Sequence, residues 1–198
     1  IGTVDFPFHY GITTQLAAFK KEHPNATLEV QLASTDELLQ MLDSGKVDVA
    51  FIRDINHSAD RYNSFLYAED YMMIAVPANH PLASLESASI EQFAEDTFYH
   101  RYKKHSLMDQ LVTSLFKETN IKPKLSVSEG NWEDSIINAL NTVTTCLGGL
   151  AENFKGNVHV KVLTLEPKCY ANIWLAARKD VDLSDIAASF MDFVRANK

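Results

Sequence analysis

Hydrophobic positions change period several times along the chain, and each change marks an element. Ile1 to Phe6 reads as a buried strand that runs into an aromatic loop, Pro7-Phe8-His9-Tyr10-Gly11. Beyond it Ile12, Leu16 and Phe19 recur at helical spacing, and His23-Pro24 must end that helix because proline has no N–H for a further turn. Thr27 to Leu32 alternates with the period of a strand. Ser34-Thr-Asp-Glu37 has the form of a capping box, in which the serine and glutamate side chains close free N–H groups at a helix start. Leu38, Leu39, Met41 and Leu42 give that helix its apolar face, and Gly45 suits its C-cap. Val47 to Ile52 is nearly all apolar, as a strand covered on both faces should be. This β-α-β-α-β order with short connections predicts a parallel, helix-covered sheet.

A second run repeats the pattern. Tyr71 to Val76 is an apolar strand closed by Pro77-Ala-Asn-His-Pro81, and Ser89-Ile-Glu-Gln92 offers another capping box before a short helix. Thr97 to His100, Leu125 to Ser128 and Thr142 to Leu147 read as strands, the last ending in Gly148-Gly149. Helices are predicted over Leu107 to Phe116 and from Asn131 to Leu140. Two more strands follow, Val158 to Leu163 and Asn172 to Ala177. A terminal helix is expected with Asp182 as N-cap and Leu183, Ile186, Phe190 and Val194 as its stripe. No Pro/Gly-rich linker divides the chain, so two α/β subdomains joined by crossing strands are expected, the last helix returning to the first. Ligands in such folds bind at the carboxyl ends of strands and in the cleft between domains.

Composition narrows the function classes. The 198 residues are 46% hydrophobic and 22% charged, ordinary for a chain with a proper core. The net charge is −8, and the densest basic run is only Arg101-Tyr-Lys-Lys104. Gripping phosphate backbone needs a clustered cationic footprint, so any contact with DNA is expected through another segment. No apolar run approaches the ~18 residues of a membrane span. Cys146 and Cys169 have no metal-ligand spacing and read as free thiols, although a peroxide-driven disulfide between them is conceivable. There is no nucleophile-elbow, metalloprotease, P-loop or dinucleotide motif. Convergence of His9, His100 and Cys146 as a nucleophilic set has no local support. No catalysis, cofactor or metal is therefore expected.

Three segments together resemble the effector-binding domain of LysR-type transcriptional regulators. They are Gln15-Leu-Ala-Ala-Phe-Lys-Lys-Glu-His-Pro24 with the strand after it, Ser34 through Ile52, and Glu69-Asp-Tyr-Met-Met-Ile-Ala-Val-Pro-Ala-Asn-His-Pro-Leu82. The last is the most specific. The match is weakest from Thr142 to Lys168, where the family's Gly-rich strand end and "LP" are replaced by Thr144-Thr-Cys-Leu-Gly-Gly149. The resemblance implies an α/β fold of two Rossmann-like subdomains with a ligand cleft, like type 2 periplasmic binding proteins. Residues 1–75 plus 171–198 would form subdomain I and 76–170 subdomain II. It also implies a cytoplasmic protein with a winged helix-turn-helix upstream, which fits a chain beginning at Ile1 rather than Met. The partners implied are a small-molecule effector, DNA through that upstream domain alone, and a second copy in an antiparallel homodimer within a full-length tetramer. That pairing is expected to set the first helix, with Leu16 and Phe19 near its face, against a helix of the second subdomain of the other copy. A periplasmic solute-binding protein of the same architecture is the alternative.

Candidate ligand contacts are the residues that end strands or open helices on the cleft side. In the first subdomain they are Phe8, His9 and Tyr10 before the first helix, Thr35 at the start of the second, and Arg53 after the third strand. A helix N-terminus offers oriented N–H groups to an anion, and an arginine fork suits a carboxylate. Phe6 and Phe8 could equally pack the core, Ser34 is explained by capping alone, and Arg53 could pair at the surface with Asp54 or Asp60. In the second subdomain the candidates are Tyr99, His100 and Arg101, then Ser128 and Thr145, with Glu129 unfavourable to a dianion unless it points away or pairs with Arg101. A small effector with at least one anionic group is expected.

Overall fold

A computed structural model of the chain describes residues 1–5, 7–53, 59–101, 107–117, 119, 121–122, 124–128 and 132–198. For Ala59, His100, Arg101, Leu107, Met108, Trp132, Glu133 and Ile136 it describes the backbone alone. In chain order the elements begin with β1 (Gly2–Thr3), α1 (Ile12–Glu22), β2 (Gln31–Leu32), α2 (Thr35–Asp43), β3 (Val49–Arg53) and β4 (Tyr62–Ala68). Next come β5 (Met72–Pro77), β6 (Ser87–Ala88), β7 (Thr97–Arg101), α3 (Leu107–Lys117) and β8 (Lys124–Ser128). Then follow α4 (Trp132–Ala139), β9 (Val143–Leu147), α5 (Gly148–Ala151), β10 (Val160–Leu165), β11 (Ile173–Arg178) and α6 (Asp185–Asn197). The chain divides into two units, Ile1–Glu69 with Asn172–Lys198, and Asp70–Ala171. The limit expected at residue 75 falls inside β5, a strand of the second unit.

In the first unit the sheet runs β2-β1-β3-β11-β4. β1 lies parallel to β2 and β3, while β11 is antiparallel to both β3 and β4. The expected all-parallel sheet is thus mixed, because the returning β11 enters from the opposite end and inserts beside β3. All five residues of β3 are buried, as their apolar run requires. Leu16 and Phe19 of α1 also face this core, and Phe19 meets Phe190 edge-on at 5.1 Å. They are therefore interior residues, not the self-association surface expected of them.

Several element edges differ from the sequence reading. β2 keeps only two residues, both exposed, and the stretch from Thr27 to Val30 is not in the ladder. β1 is likewise short. β4, an edge strand of seven mostly half-buried residues, was not anticipated at all. At the C-terminus the N-cap is Ser184, whose Oγ accepts from the Ala187 amide, rather than Asp182. The buried stripe of α6 is accordingly Ala187, Phe190, Met191 and Val194, with Ile186 exposed.

The second unit carries the sheet β6-β10-β5-β9-β7-β8. β5 is antiparallel to β10 and β9, and β7 is parallel to β9 and β8. Met72, Ile74, Val76, Phe93, Phe98 and Leu163 belong to one apolar cluster. The capping box at Ser89 is present, but it opens a 3-10 turn, Ile90–Phe93, rather than an α-helix. Buried Asp70 accepts the amides of Tyr71 and Gly148 on Oδ1. A Cβ at position 148 would collide with that carboxylate, so glycine is required there.

His80 shows what the Val76-Pro77-Ala-Asn-His80-Pro81-Leu82 motif does. Its Nδ1 accepts the Leu82 amide at 3.2 Å, which leaves Nε2–H to donate to Asp96 Oδ1 at 3.2 Å. The ring also stacks on Phe93, with centroids 5.7 Å apart. One side chain thus closes the turn after β5 and ties it to the 3-10 turn beneath. Replacing His80 by Ala strands two of these partners and should lower unfolding free energy by about 1–3 kcal/mol. Urea titration measures this; a change below about 0.5 kcal/mol, the scatter of ordinary surface positions, would refute the clamp.

Candidate functional site

Three segments of the first unit meet at the carboxyl edge of its parallel strands: the loop after β1, the start of α2 and the end of β3. Parallel strands with helical crossovers put such segments together whatever their separation in sequence. Arg53 is at their centre and is only 6% exposed. Its backbone N–H donates to Thr35 Oγ1 at 3.1 Å, and its Nη2 donates to the Tyr10 hydroxyl at 2.7 Å. The guanidinium also lies over the Tyr10 ring, 5.1 Å from the centroid. Tyr10 is held in turn, since its carbonyl accepts from the Tyr67 hydroxyl at 2.9 Å. Tyr67 stands on β4, edge-on to buried Phe51 at 4.9 Å, and burial raises its phenol above the ordinary tyrosine pKa.

The two helix starts beside Arg53 differ in charge. Helix α1 has Gly11 as N-cap with φ 71, no side-chain cap and no acid in its first turn. The Gly11 and Ile12 amides turn back to Phe8 and Pro7 carbonyls, and exposed Thr13 and Thr14 carry amides with no acceptor inside the helix. Helix α2 is closed by its own residues. Ser34 Oγ accepts the Glu37 amide, while the Glu37 carboxylate accepts from the Ser34 backbone at 2.9 Å. With Asp36 also in that turn, the macrodipole there already has two negative partners. Of the two helix starts, only that of α1 has no acid in its first turn and no side-chain cap.

The other sequence candidates are placed unevenly. Phe8 is 76% exposed, so it is not a core residue, and His9 lies exposed beside it with ring centroids 6.0 Å apart. Tyr99 is buried, and among the described residues its hydroxyl has no hydrogen-bond partner. Tyr99 registers with Ser126 and Thr144, so buried Thr145 belongs to the opposite face of that sheet. Ser128 ends β8 half-buried. The side chains of His100 and Arg101, and all of Phe6, Asp54 and Glu129, lie outside the described residues. The structure therefore brings Tyr10, Thr35 and Arg53 together in the first unit. Tyr67 was missed because its strand was missed; the aromatic content of Tyr62-Asn-Ser-Phe-Leu-Tyr67 is the signal that could have found it.

Across residues 1–198 the sequence matches the family model described as the LysR substrate binding domain. The chain belongs to that family. It is 28% identical over 202 residues to the HTH-type transcriptional regulator YybE of Bacillus subtilis, a match covering 98% of this chain and 67% of that protein. Among solved structures it resembles the effector-binding domain of QuiR in complex with shikimate, with TM-score 0.83, 22% identity and coverage of 99% and 94% of the two chains. It also resembles the BenM effector-binding domain with benzoate, with TM-score 0.82, 18% identity and coverage of 99% and 89%. The fold is that of LysR effector-binding domains, which is type 2 periplasmic-binding-protein-like. Family membership displaces the periplasmic solute-binding alternative.

Two further features of this LysR domain have structural explanations. A cavity of about 360 Å³ in the first unit is lined by Asp43, Asp60, Arg61, Arg178, Lys179 and Asp180. Asp43 accepts from the Tyr62 hydroxyl and Arg61, both at 2.7 Å, and its carbonyl accepts from Arg178 at 2.7 Å. These bonds, that from Tyr62 first, hold its carboxyl below the usual carboxylate range. The cluster fastens the end of α2 to the ends of β4 and β11. Among the described residues no group of His, Cys, Asp and Glu could hold a metal ion, and no helix is long and apolar enough to cross a membrane.

Both cysteines are free thiols. Cys146 is buried, and desolvation first, then the Asp70 charge, pushes its thiol up to about 12. A neutral thiol is a poor nucleophile, which counts against both the disulfide and the nucleophilic set. With an aromatic disulfide reagent at pH 8 the native domain should release one equivalent, from half-buried Cys169, and the denatured chain two; two fast equivalents from the native domain would contradict the burial. Tyr62 is also pushed up to about 12, by burial and its bond to Asp43. Raised acid pKa values mean that the folded state keeps protons the unfolded chain loses. Their contribution is complete below about pH 9 and should disappear as pH rises through 9–12, as alkaline denaturation curves would show.

Proposed function

We propose that this LysR-family domain senses a small carboxylate, or a similar anion, without catalysis, and that it does so in the cytoplasm for a DNA-binding segment elsewhere in the full-length regulator. The observation that carries the reading is the buried Arg53 guanidinium, aimed by Tyr10 at the edge where α1 presents uncapped amides. In this reading Arg53 supplies the charge and the Thr13 and Thr14 amides supply oriented donors. Thr35 accepts the Arg53 amide and retains its own O–H for the ligand. The exposed rings of Phe8 and His9 offer an apolar surface to the body of the molecule.

The comparisons support the chemistry, since shikimate and benzoate, bound by QuiR and BenM, are both carboxylates. A net charge of −8 supports leaving DNA to another segment. Association into a homodimer, and a tetramer in the full-length protein, is part of the proposal. Sedimentation of the domain at high micromolar concentration should show a dimer, and a strict monomer would count against it.

Calorimetry with shikimate and benzoate tests the site. Arg53→Ala should cost roughly 1.5–3 kcal/mol of binding, the worth of a hydrogen bond to a charged group. Phe8→Ala should weaken benzoate more than an aliphatic acid of similar size. Equal affinities in the wild type and Arg53→Ala would remove Arg53 from the site, and binding of neutral ligands alone would refute the anion class.

A further inference from the structure

We infer that Tyr67 is the positioning residue of this effector site, setting both of its anion-binding elements through one hydrogen bond to the Tyr10 carbonyl. The inference rests on the proposed effector reading and assigns a role to a residue on a different strand. Four observations converge on it. The Tyr67 hydroxyl donates to the Tyr10 carbonyl at 2.9 Å. That carbonyl belongs to the peptide entering Gly11, whose φ of 71 turns the chain into α1. A Cβ on Gly11 would lie 3.7 Å from the Tyr67 hydroxyl, so the phenol lies directly against the turn. Finally, the side chain of the same Tyr10 accepts from Arg53 Nη2 at 2.7 Å.

One bond therefore reaches the ligand-binding groups by two routes. Through the backbone it fixes the plane of the Tyr10–Gly11 peptide, and with it the direction of the first-turn amides of α1. Through the Tyr10 ring it fixes the hydroxyl that aims the guanidinium. The Tyr67 ring is itself anchored against Phe51, a fully buried residue of the central strand β3. The loop's own backbone bonds include the local turns to the Phe8 and Pro7 carbonyls, and loss of the Tyr67 bond removes a tie between the left-handed Gly11 turn and the sheet. Groups that must be ordered at binding cost affinity even when no contact to the ligand is lost. Burial of the phenol keeps it a proton donor above the ordinary tyrosine range.

Tyr67→Phe retains the ring against Phe51 and deletes only the donor. Hydrogen exchange in the free domain should become faster at the hydrogen-bonded Gly11 and Ile12 amides and stay unchanged in β3 and β11. Benzoate affinity should fall about three- to tenfold, the range of one net hydrogen bond. Combined with Tyr10→Phe the loss should be less than additive, because both variants act through the same residue. Uniformly faster exchange over the whole first unit would reduce Tyr67 to a general stability role and overturn the inference. So would unchanged exchange in the loop, or full additivity with Tyr10→Phe. If wild type bound neither benzoate nor shikimate, the effector reading would fail by itself, and the exchange result would still decide for or against Tyr67 as the anchor of this loop.

Discussion

A guanidinium that is almost wholly removed from water must have partners, and this requirement shapes the first unit. Burying an unpaired charge costs several kcal/mol, far more than an exposed one gains. Arg53 ends the most buried strand of its sheet, so it cannot retreat to solvent without unravelling β3. Its amide is received by Thr35 and its side chain by Tyr10, and Tyr10 is received by Tyr67. Residues 10, 35, 53 and 67 stand on four elements, and the pairing of β1, β3, β11 and β4 in one sheet puts them within reach. The site is therefore a consequence of sheet order as much as of residue type.

Charge arrangement then decides what such a site accepts. With a net charge of −8 the domain as a whole repels an anion at long range. Selectivity for an anionic effector has to come from within a few ångströms, where the local dielectric is low and screening by salt is weak. The contrast between the helices follows. Helix α2 satisfies itself with Ser34, Asp36 and Glu37, while α1 has a bare glycine cap and no acid in its first turn. Only α1 starts without an acid in its first turn, and it starts beside Tyr10.

The elements legible in the sequence are those whose local chemistry is self-contained. The Ser34 capping box, the His23-Pro24 stop, left-handed Gly45 and the apolar run of β3 all appear where their residue types demand. What was not legible depends on non-local partners. β4 is half-exposed and gains its place from pairing with β11, more than a hundred residues later in the chain. Leu16 and Phe19 have the same helical spacing whether they face a core or a second copy, and only the return of α6 with Phe190 decides. For the site, Arg53, Thr35 and Tyr10 were visible as strand-end and helix-start residues. Tyr67 was missed with its strand, and its bond to a carbonyl leaves no trace in a side-chain pattern from which a role could be read.

The same distinction explains why the family was readable while the effector was not. The residues that carried the resemblance are largely those that satisfy backbone groups or close turns. His80 receives the Leu82 amide, and the Ser34–Glu37 pair caps α2. Asp70 receives the amides of Tyr71 and Gly148. Such bonds satisfy backbone N–H groups that have no helix or ladder partner of their own, so the fold itself calls for them. The residues that would discriminate one acid from another are under no such requirement. Phe8 and His9 lie exposed on a loop, and any side chain that leaves the Pro7–Gly11 turn intact could stand there. On the proposed reading, anion class is encoded in the buried, fold-dependent part of the site, through Arg53 and its supports. The identity of the acid is left to positions that the fold does not constrain.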